Sequence, residues 1–492
     1  MGILQGALPA GGLAKWGAIA GMAAVAVLAG RALSLDRYFS LVFAALALTG
    51  AALALAIPAR VRSQAGFPLL IVVAVLMPIE LGPSGGSLNG AALLAMALCG
   101  IWLARLSMRR QEAALDGSRV VVAALAFMAV AGLSFVVGQY PWFPAAPAPM
   151  RAQLGGLAVF LLSGGLFLVV GHAISSLAEL RRLTWLFVAA GAAAVLTSVT
   201  PFFEYRAGSI AITDASSIGS MFWIWLVAIS ASQGLFNREL SGAARLALIA
   251  VGLLALARGL LLAFSWTSGW LPPLVALGLV MLLRFPRTTV VLGLLVIASA
   301  LFFGGPVFNA WMAEESYSSM TRMQALTVML RIIDHNPWLG FGPANYYHYT
   351  LLYPLLGWWV RFNSHNNYVD LVAQTGVVGL LAFSWFVLEV ARLAWRLRSR
   401  VPAGFAQAYA VGALAGLAGS LVSGFLADWI VPFAYNVGIR GFRSSLLFWV
   451  FLGGLLAVKR ILATSPALAA PAPSAVGMHG SHATVNRLGG LL

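Results

Sequence analysis

Residues 316–350 read SYSSMTRMQALTVMLRIIDHNPWLGFGPANYYHYT, and residues 362–383 read FNSHNNYVDLVAQTGVVGLLAF. Together they hold three of the six histidines and the one long polar connection in a chain that is otherwise apolar. Outside them the sequence is a succession of hydrophobic runs. Of 492 residues, 61% are hydrophobic and 9% are charged, against about 25% charged in a soluble domain. So few charges cannot clothe a water-facing surface of this size. Lipid is the solvent for most of the chain, and the fold class expected is an all-α polytopic membrane protein.

A span needs about 20 apolar residues. On that measure the sequence divides into about fourteen transmembrane helices, beginning with 16–33 and 39–57 and ending with 405–426 and 445–458. Around the quoted stretch the expected spans are 246–264, 271–283, 288–303 and 368–393. This predicts an N-terminal transmembrane bundle over 1–303, a long, partly helical outer (periplasmic) loop over 304–365, and C-terminal transmembrane helices over 366–460. A disordered cytoplasmic tail is expected over 461–492, where Ala, Pro and small polar residues dominate.

Orientation follows from the basic residues. With Lys15 placed inside, the connections carrying Arg60/Arg62, Arg105/Arg109/Arg110, Arg181/Arg182, Arg238/Arg245, Arg284/Arg287, Arg392/Arg396/Arg398/Arg400 and Lys459/Arg460 all fall on the cytoplasmic side. Both termini are then cytoplasmic and 304–364 faces out. The net charge of +16 is explained by this loop bias, so nucleic acid is not expected as a partner. The single cysteine, Cys99, excludes an intrachain disulfide. No leader with a clear cleavage site precedes the first apolar run.

Within the outer stretch, 318–334 lacks Gly and Pro, opens on serines and stops at Asn336-Pro337, which predicts a helix. On a helical wheel, Met323, Leu326, Met329, Leu330 and Ile333 cluster around Arg322, whereas Arg331 falls on the polar side. An arginine on a packed face needs an anionic partner. The partner is either a neighbouring acid, Glu314 or Glu315, or a bound anion. Residues 337–343, PWLGFGP, form a turn. The aromatics Trp338, Tyr346, Tyr347, Tyr349, Tyr353, Trp358 and Trp359 read either as an interfacial belt or as a platform for sugar rings. His365 and Asn366 stand at the mouth of the next span, where a helix N-terminus favours anions. Asp370 lies about 140° around that helix from His365 and is not expected to pair with its ring. His335 and His348 are weaker candidates, and Gly376 and Gly379 read as close helix packing.

Arg322, then RIIDHNPWLGFGPANY, then SHNNYVDLVAQTGVVGLLAF together resemble the O-antigen ligase/polymerase superfamily. The resemblance covers the Arg-bearing helix, an acid–Asn–Pro turn with two glycines (Asp334, Asn336, Pro337, Gly340, Gly342), and a His–Asn–x–Tyr start to a span that continues to Gly376 and Gly379. It implies an inverting, metal-independent membrane glycosyltransferase that moves a glycan from a polyprenyl (undecaprenyl) diphosphate carrier to an acceptor hydroxyl. The acceptor would be a growing glycan, the lipid A core or a protein hydroxyl, at the outer face of the bacterial inner membrane. On this resemblance His365 is the base and Arg322 binds the diphosphate. Asn366, Arg258, Arg361, Tyr346 and Trp338 join as substrate contacts, and neither cofactor nor metal is called for. The family's Ser-Arg-Gly hinge is represented here by Thr267-Ser268-Gly269-Trp270, without its arginine. Arg258, further back in the preceding span, is the expected substitute. That departure tips the choice of acceptor towards polymerase. The rival from another class is a transporter or lipid-linked glycan flippase, which would spread charged groups through the spans rather than gather them at one face.

Overall fold

The computed structural model describes residues 59–76, 80–81, 88–108, 115–199, 219–436 and 438–464. The predicted spans 16–33 and 39–57, and nearly all of the predicted tail, lie outside these residues. Apart from one two-residue antiparallel pair, Glu80–Leu81 with Leu88–Asn89, the regular secondary structure of the described residues is helical. In chain order the helices are α1 (Ala59–Leu76), α2 (Gly90–Met108), α3 (Arg119–Val137), α4 (Met150–Ala173), α5 (Leu177–Val199), α6 (Ser220–Phe236) and α7 (Gly242–Leu262). They continue with α8 (Thr267–Arg284), α9 (Pro286–Ile333), the one-turn α10 (Tyr346–Tyr349), α11 (Asn367–Arg400), α12 (Phe405–Leu426) and α13 (Gly438–Thr464).

Among the described residues, eight helices are long and apolar enough to cross a membrane: α3, α4, α5, α7, α8, α11, α12 and α13. Shorter apolar segments lie in α1, α2, α6 and the start of α9. The expected figure of about fourteen is therefore met only in its coarser form, a polytopic helical bundle.

α6 and α13 form its interior. From Ser220 to Gly234 every residue of α6 is buried, as are Phe442 and the whole run Ser444–Val458 of α13. A helix apolar on all sides is stable only when surrounded. At the start of α6, Ser220 donates to Ser268 O at 2.5 Å and accepts from Ser423 Oγ of α12 at 2.9 Å. By contrast, Val290–Ile297 of α9 is apolar and exposed, as a lipid-facing surface would be.

The two ends of the bundle differ in charge. At one end Arg181 pairs with Glu239 at 2.6 Å, Glu239 also accepts from Phe405 N, and Lys459 pairs with Asp116 at 2.6 Å. Helix succession puts Arg182, Arg238, Arg245, Arg284, Arg287, Arg392, Arg396, Arg398, Arg400 and Arg460 at that end too. The opposite end carries the connections 138–149, 334–366 and 427–436, with Arg151, Arg331 and Arg361.

One expectation is corrected. The predicted span 288–303 and the predicted helix 318–334 are one continuous helix, α9, of 48 residues. The helix runs through Gly304-Gly305-Pro306, past the expected end of the span at 303. At about 1.5 Å per residue α9 is about 72 Å long, more than twice a hydrocarbon core of about 30 Å. The domain boundary expected at 303/304 therefore falls inside a helix, and Arg322 is carried on a rigid extension of a span.

Candidate active site

The site is built where a turn is docked into a broken helix. α11 is interrupted at Gly376, whose backbone (φ 69°, ψ −177°) is open essentially to glycine alone. The break frees carbonyls above it and amides below it. The turn that follows α9 satisfies them. Phe341 N donates to Ala373 O at 3.0 Å and Gly342 N to Gln374 O at 2.9 Å, while Val377 N and Val378 N donate to Pro337 O and Trp338 O at 2.7 and 3.2 Å. The approach is backbone to backbone. A Cβ on Gly340 would stand 2.6 Å from the Gln374 carbonyl carbon, and one on Gly376 would overlap the Trp338 carbonyl. The two glycine motifs of the sequence are thus two halves of one joint. Gly376, expected to serve helix packing, is instead the break that the turn fills.

Asn345, fully buried, ties this joint to the rest of the outer end. It donates to Phe341 O at 2.8 Å and Gly138 O at 3.1 Å and accepts from Ala148 N at 3.0 Å. Asn367, at the first turn of α11, holds the 427–436 connection in the same way. It accepts from Ile430 N at 2.7 Å and donates to Val431 O at 2.8 Å. Asp428 in that connection accepts from Phe433 N at 2.7 Å and from the Asn436 amide. Burial pushes its carboxyl up to about 6.

His365 sits in this frame in a left-handed backbone conformation, φ 49°. Non-glycine residues hold that region only when their surroundings impose it. Here the two flanking residues do so. Ser364 Oγ donates to Asp370 Oδ1 at 2.7 Å and lies 2.9 Å from Asn366 O and 3.1 Å from Asn366 N, so it bridges across His365. Asp370 is buried and takes a second, short hydrogen bond from the Tyr346 hydroxyl. Asn366 caps α11, its side-chain oxygen accepting from Tyr368 N at 2.9 Å and Val369 N at 3.3 Å. His365 itself is left exposed at the rim. Its ring is held below the usual histidine range, first by loss of hydration and second by the charge of Arg322.

The charge of Arg322 thus acts at the ring of His365. Arg322 projects from the edge of the buried side of α9. Ala325, Val328, Met329, Ile332 and Ile333 are packed, while Met320, Met323, Leu326 and Leu330 are exposed. Arg322 is exposed and makes no ion pair or hydrogen bond with a described residue. The side chains of Glu314 and Glu315 lie outside the described residues. Arg331 is exposed, as its polar wheel position predicts.

The other expected contacts differ in burial and partners. Tyr346 is a correction: its ring is fully buried, stacked on Phe433 at 4.6 Å, and cannot serve as a sugar platform. Its hydroxyl supports Asp370 instead. Asn366 has its side-chain oxygen committed to the helix cap, which leaves its amide nitrogen as the group open to substrate. Arg258, on α7, lies over the Trp223 indole at 5.1 Å, within the membrane part of the bundle. Arg361 is exposed, and its charge acts on His348 and Tyr435. Trp338 is 67% exposed, with Trp358 and Trp359 similarly open. His335 is occupied by Arg331 O at 3.0 Å and by the ring of Phe143. Ser364 and Asp370 are functional candidates that sequence reasoning missed. The signal was there, in a serine two residues before a helix-capping asparagine and an acid one turn beyond.

Among the described residues no group of three or more His, Cys, Asp or Glu side chains is placed to hold a metal. The outer end also carries Arg151, Arg322, Arg331 and Arg361, and guanidinium groups bind phosphate bidentately.

Fold and site together define a polytopic helical membrane protein with a polar centre at one end of its bundle. A family model described as O-antigen ligase matches residues 246–384, a segment that includes α8, α9, the docked turn, Arg322, His365 and the break at Gly376. That segment is similar to the O-antigen ligase family. A comparison with curated proteins found no match.

Proposed function

We propose that the protein moves a glycan from a polyprenyl (undecaprenyl) diphosphate carrier to an acceptor hydroxyl during cell-surface polysaccharide assembly. The observation that supports this reading is that the segment matching the O-antigen ligase family contains both Arg322 and His365, and that the charge of Arg322 disfavours the protonated form of the imidazole.

In this reading the diphosphate of the donor lies against Arg322, and the acceptor hydroxyl is hydrogen-bonded to His365. The ring is neutral near pH 7 and takes the hydroxyl proton as the oxygen forms its bond to the anomeric carbon. The anomeric carbon–oxygen bond to phosphate breaks with its electron pair, and the carrier diphosphate leaves with its charge balanced by Arg322. Attack opposite the leaving group inverts the anomeric centre. Arginine supplies the neutralising charge, so the reaction is proposed to run without metal. The bundle end bearing this site faces the periplasm and the basic end faces the cytoplasm, in line with the distribution of Lys and Arg.

The test is transfer in nanodiscs, using undecaprenyl diphosphate-linked glycan as donor and the free glycan as acceptor, with and without EDTA. His365→Ala and Arg322→Ala are expected to lose transfer by about 100-fold or more. Transfer at the wild-type rate by His365→Ala refutes the base assignment, and loss of transfer with EDTA refutes metal independence.

A further inference from the structure

We propose that the outward face of the basic end of α11, formed by Arg392, Trp395 and Arg396 with Arg400 at its margin, binds the phosphate of anionic phospholipids in the adjoining leaflet. This inference needs only that the chain crosses a membrane and does not rest on the transferase reading above.

From the break at Gly376 to its end, α11 has two faces. Phe386, Val390, Ala394 and Leu397 are buried and recur every three or four residues, so they turn one side of the helix to the bundle. Leu381, Trp385 and Leu388 are exposed on the opposite side, as lipid-facing residues are. On a wheel of about 100° per residue, Arg392, Trp395 and Arg396 continue this outward stripe and Arg400 falls at its edge. All four are exposed. The lipid-facing surface and the basic face are thus one surface.

Depth follows from helix rise. Arg392 and Arg396 stand about 6 and 12 Å beyond Leu388 along the axis. The polar layer on each side of the hydrocarbon core is about 5–8 Å deep. A stripe that stays apolar as far as Leu388 therefore brings its first arginines to the level of the lipid phosphates. Trp395, between them, is of the residue type enriched at that level. The guanidinium carbon of Arg398 lies 3.5 Å from the centre of its ring.

The charge of this face is largely unanswered by the protein. Arg392 pairs with Glu389 at 2.8 Å. The other acids described at this end of the bundle are engaged: Asp116 by Lys459, Glu179 by Ser175 N and Glu239 by Arg181. Arg396 and Arg400 make no ion pair or side-chain hydrogen bond with a described residue. Arginines at i, i+4 and i+8 repel one another, and the carbonyls of the last helical turn favour only the terminal one. A phosphate shared between neighbouring arginines removes the repulsion. The guanidinium fork matches the two free oxygens of a phosphodiester, and each basic side chain at a membrane surface strengthens the hold on an anionic leaflet.

The full-length protein in nonionic detergent is titrated with phosphatidylglycerol, with phosphatidylcholine of the same chains and with inorganic phosphate, and bound lipid is counted by native mass spectrometry. Phosphatidylglycerol is expected to bind about tenfold tighter than phosphatidylcholine or better, and an equal concentration of inorganic phosphate is expected not to displace it. Arg396→Gln/Arg400→Gln, at two exposed positions without a described partner, should abolish the preference. Arg238→Gln/Arg287→Gln, which removes the same charge from two other exposed basic positions, should keep it. Equal binding of the two lipids by the wild-type protein overturns the proposal whatever the variants do, and so does displacement by phosphate. A preference that survives the first double variant overturns it as well. So does an equal loss in the second variant, because net charge rather than this face would then set the affinity.

Discussion

Replacing Gly376 by alanine tests the central joint. A Cβ there overlaps the Trp338 carbonyl and crowds Leu339 N, which are backbone atoms that cannot rotate away. The turn must withdraw. Withdrawal breaks the hydrogen bonds of Phe341 N, Gly342 N, Val377 N and Val378 N. At about 0.5–1.5 kcal/mol each, the four bonds are worth about 2–6 kcal/mol. Holding alanine at φ 69° adds about 1–3 kcal/mol. The total is a large share of the 5–15 kcal/mol, in round terms, that holds a typical domain together. The expected result is local release: faster amide hydrogen exchange over 337–342 and 373–378, with loss of transfer because α9 and the start of α11 no longer hold Arg322 and His365 together. Gly278→Ala, at a helical site with nothing within 4 Å of the added carbon, is the matched control and should be neutral. Wild-type exchange and wild-type transfer in Gly376→Ala would refute the reasoning.

Three further outcomes are expected. Ser364→Ala removes the bridge across His365 and should lower kcat by about tenfold or more with little change in donor KM, while Ser364→Thr, which keeps the hydroxyl, should restore most of the rate. Arg322→Gln removes one of the two influences that disfavour the imidazolium, so the acid limb of the kcat–pH profile should move upward towards the ordinary histidine range; a limb that stays put or moves down disproves the electrostatic link. Asp428 has a carboxyl raised to about 6 by burial, so the folded state keeps its proton longer than the unfolded state does. Its contribution is full below about pH 4 and is lost as pH rises to about 6. Thermal melts from pH 4 to 7 should show this fall, and Asp428→Asn should make it shallower.

How much of this was legible in the chain depends on the range of each signal. The helix bearing Arg322 was readable because a run without Gly or Pro ends at Asn336-Pro337, and both signals are local. Its union with the preceding span was not, because Gly304-Gly305-Pro306 has the composition of a break. The face of Arg322 was read half correctly. The apolar side of α9 is broad, and only the half through Ala325, Met329 and Ile332 is packed, so Arg322 emerges at a margin rather than from the middle. Gly376 and Gly379 have helix-packing spacing, and nothing nearby in sequence says that a turn some 35 residues earlier supplies the hydrogen bonds a break requires. Tyr346 was misjudged for a similar reason: its buried partners, Phe433 and Asp370, come from other segments. His365 was legible as a residue at a helix mouth, but its left-handed backbone follows from the Ser364 bridge, which is a tertiary fact.

The joint at Gly376 also bears on the order of biogenesis. The turn that fills the gap is synthesised before the helix it enters, so residues 337–342 leave the ribosome with no place to dock. They find one only after the next span has threaded the bilayer and its two halves have parted. Until that insertion is complete, the helix bearing Arg322 and the segment bearing His365 have no common frame.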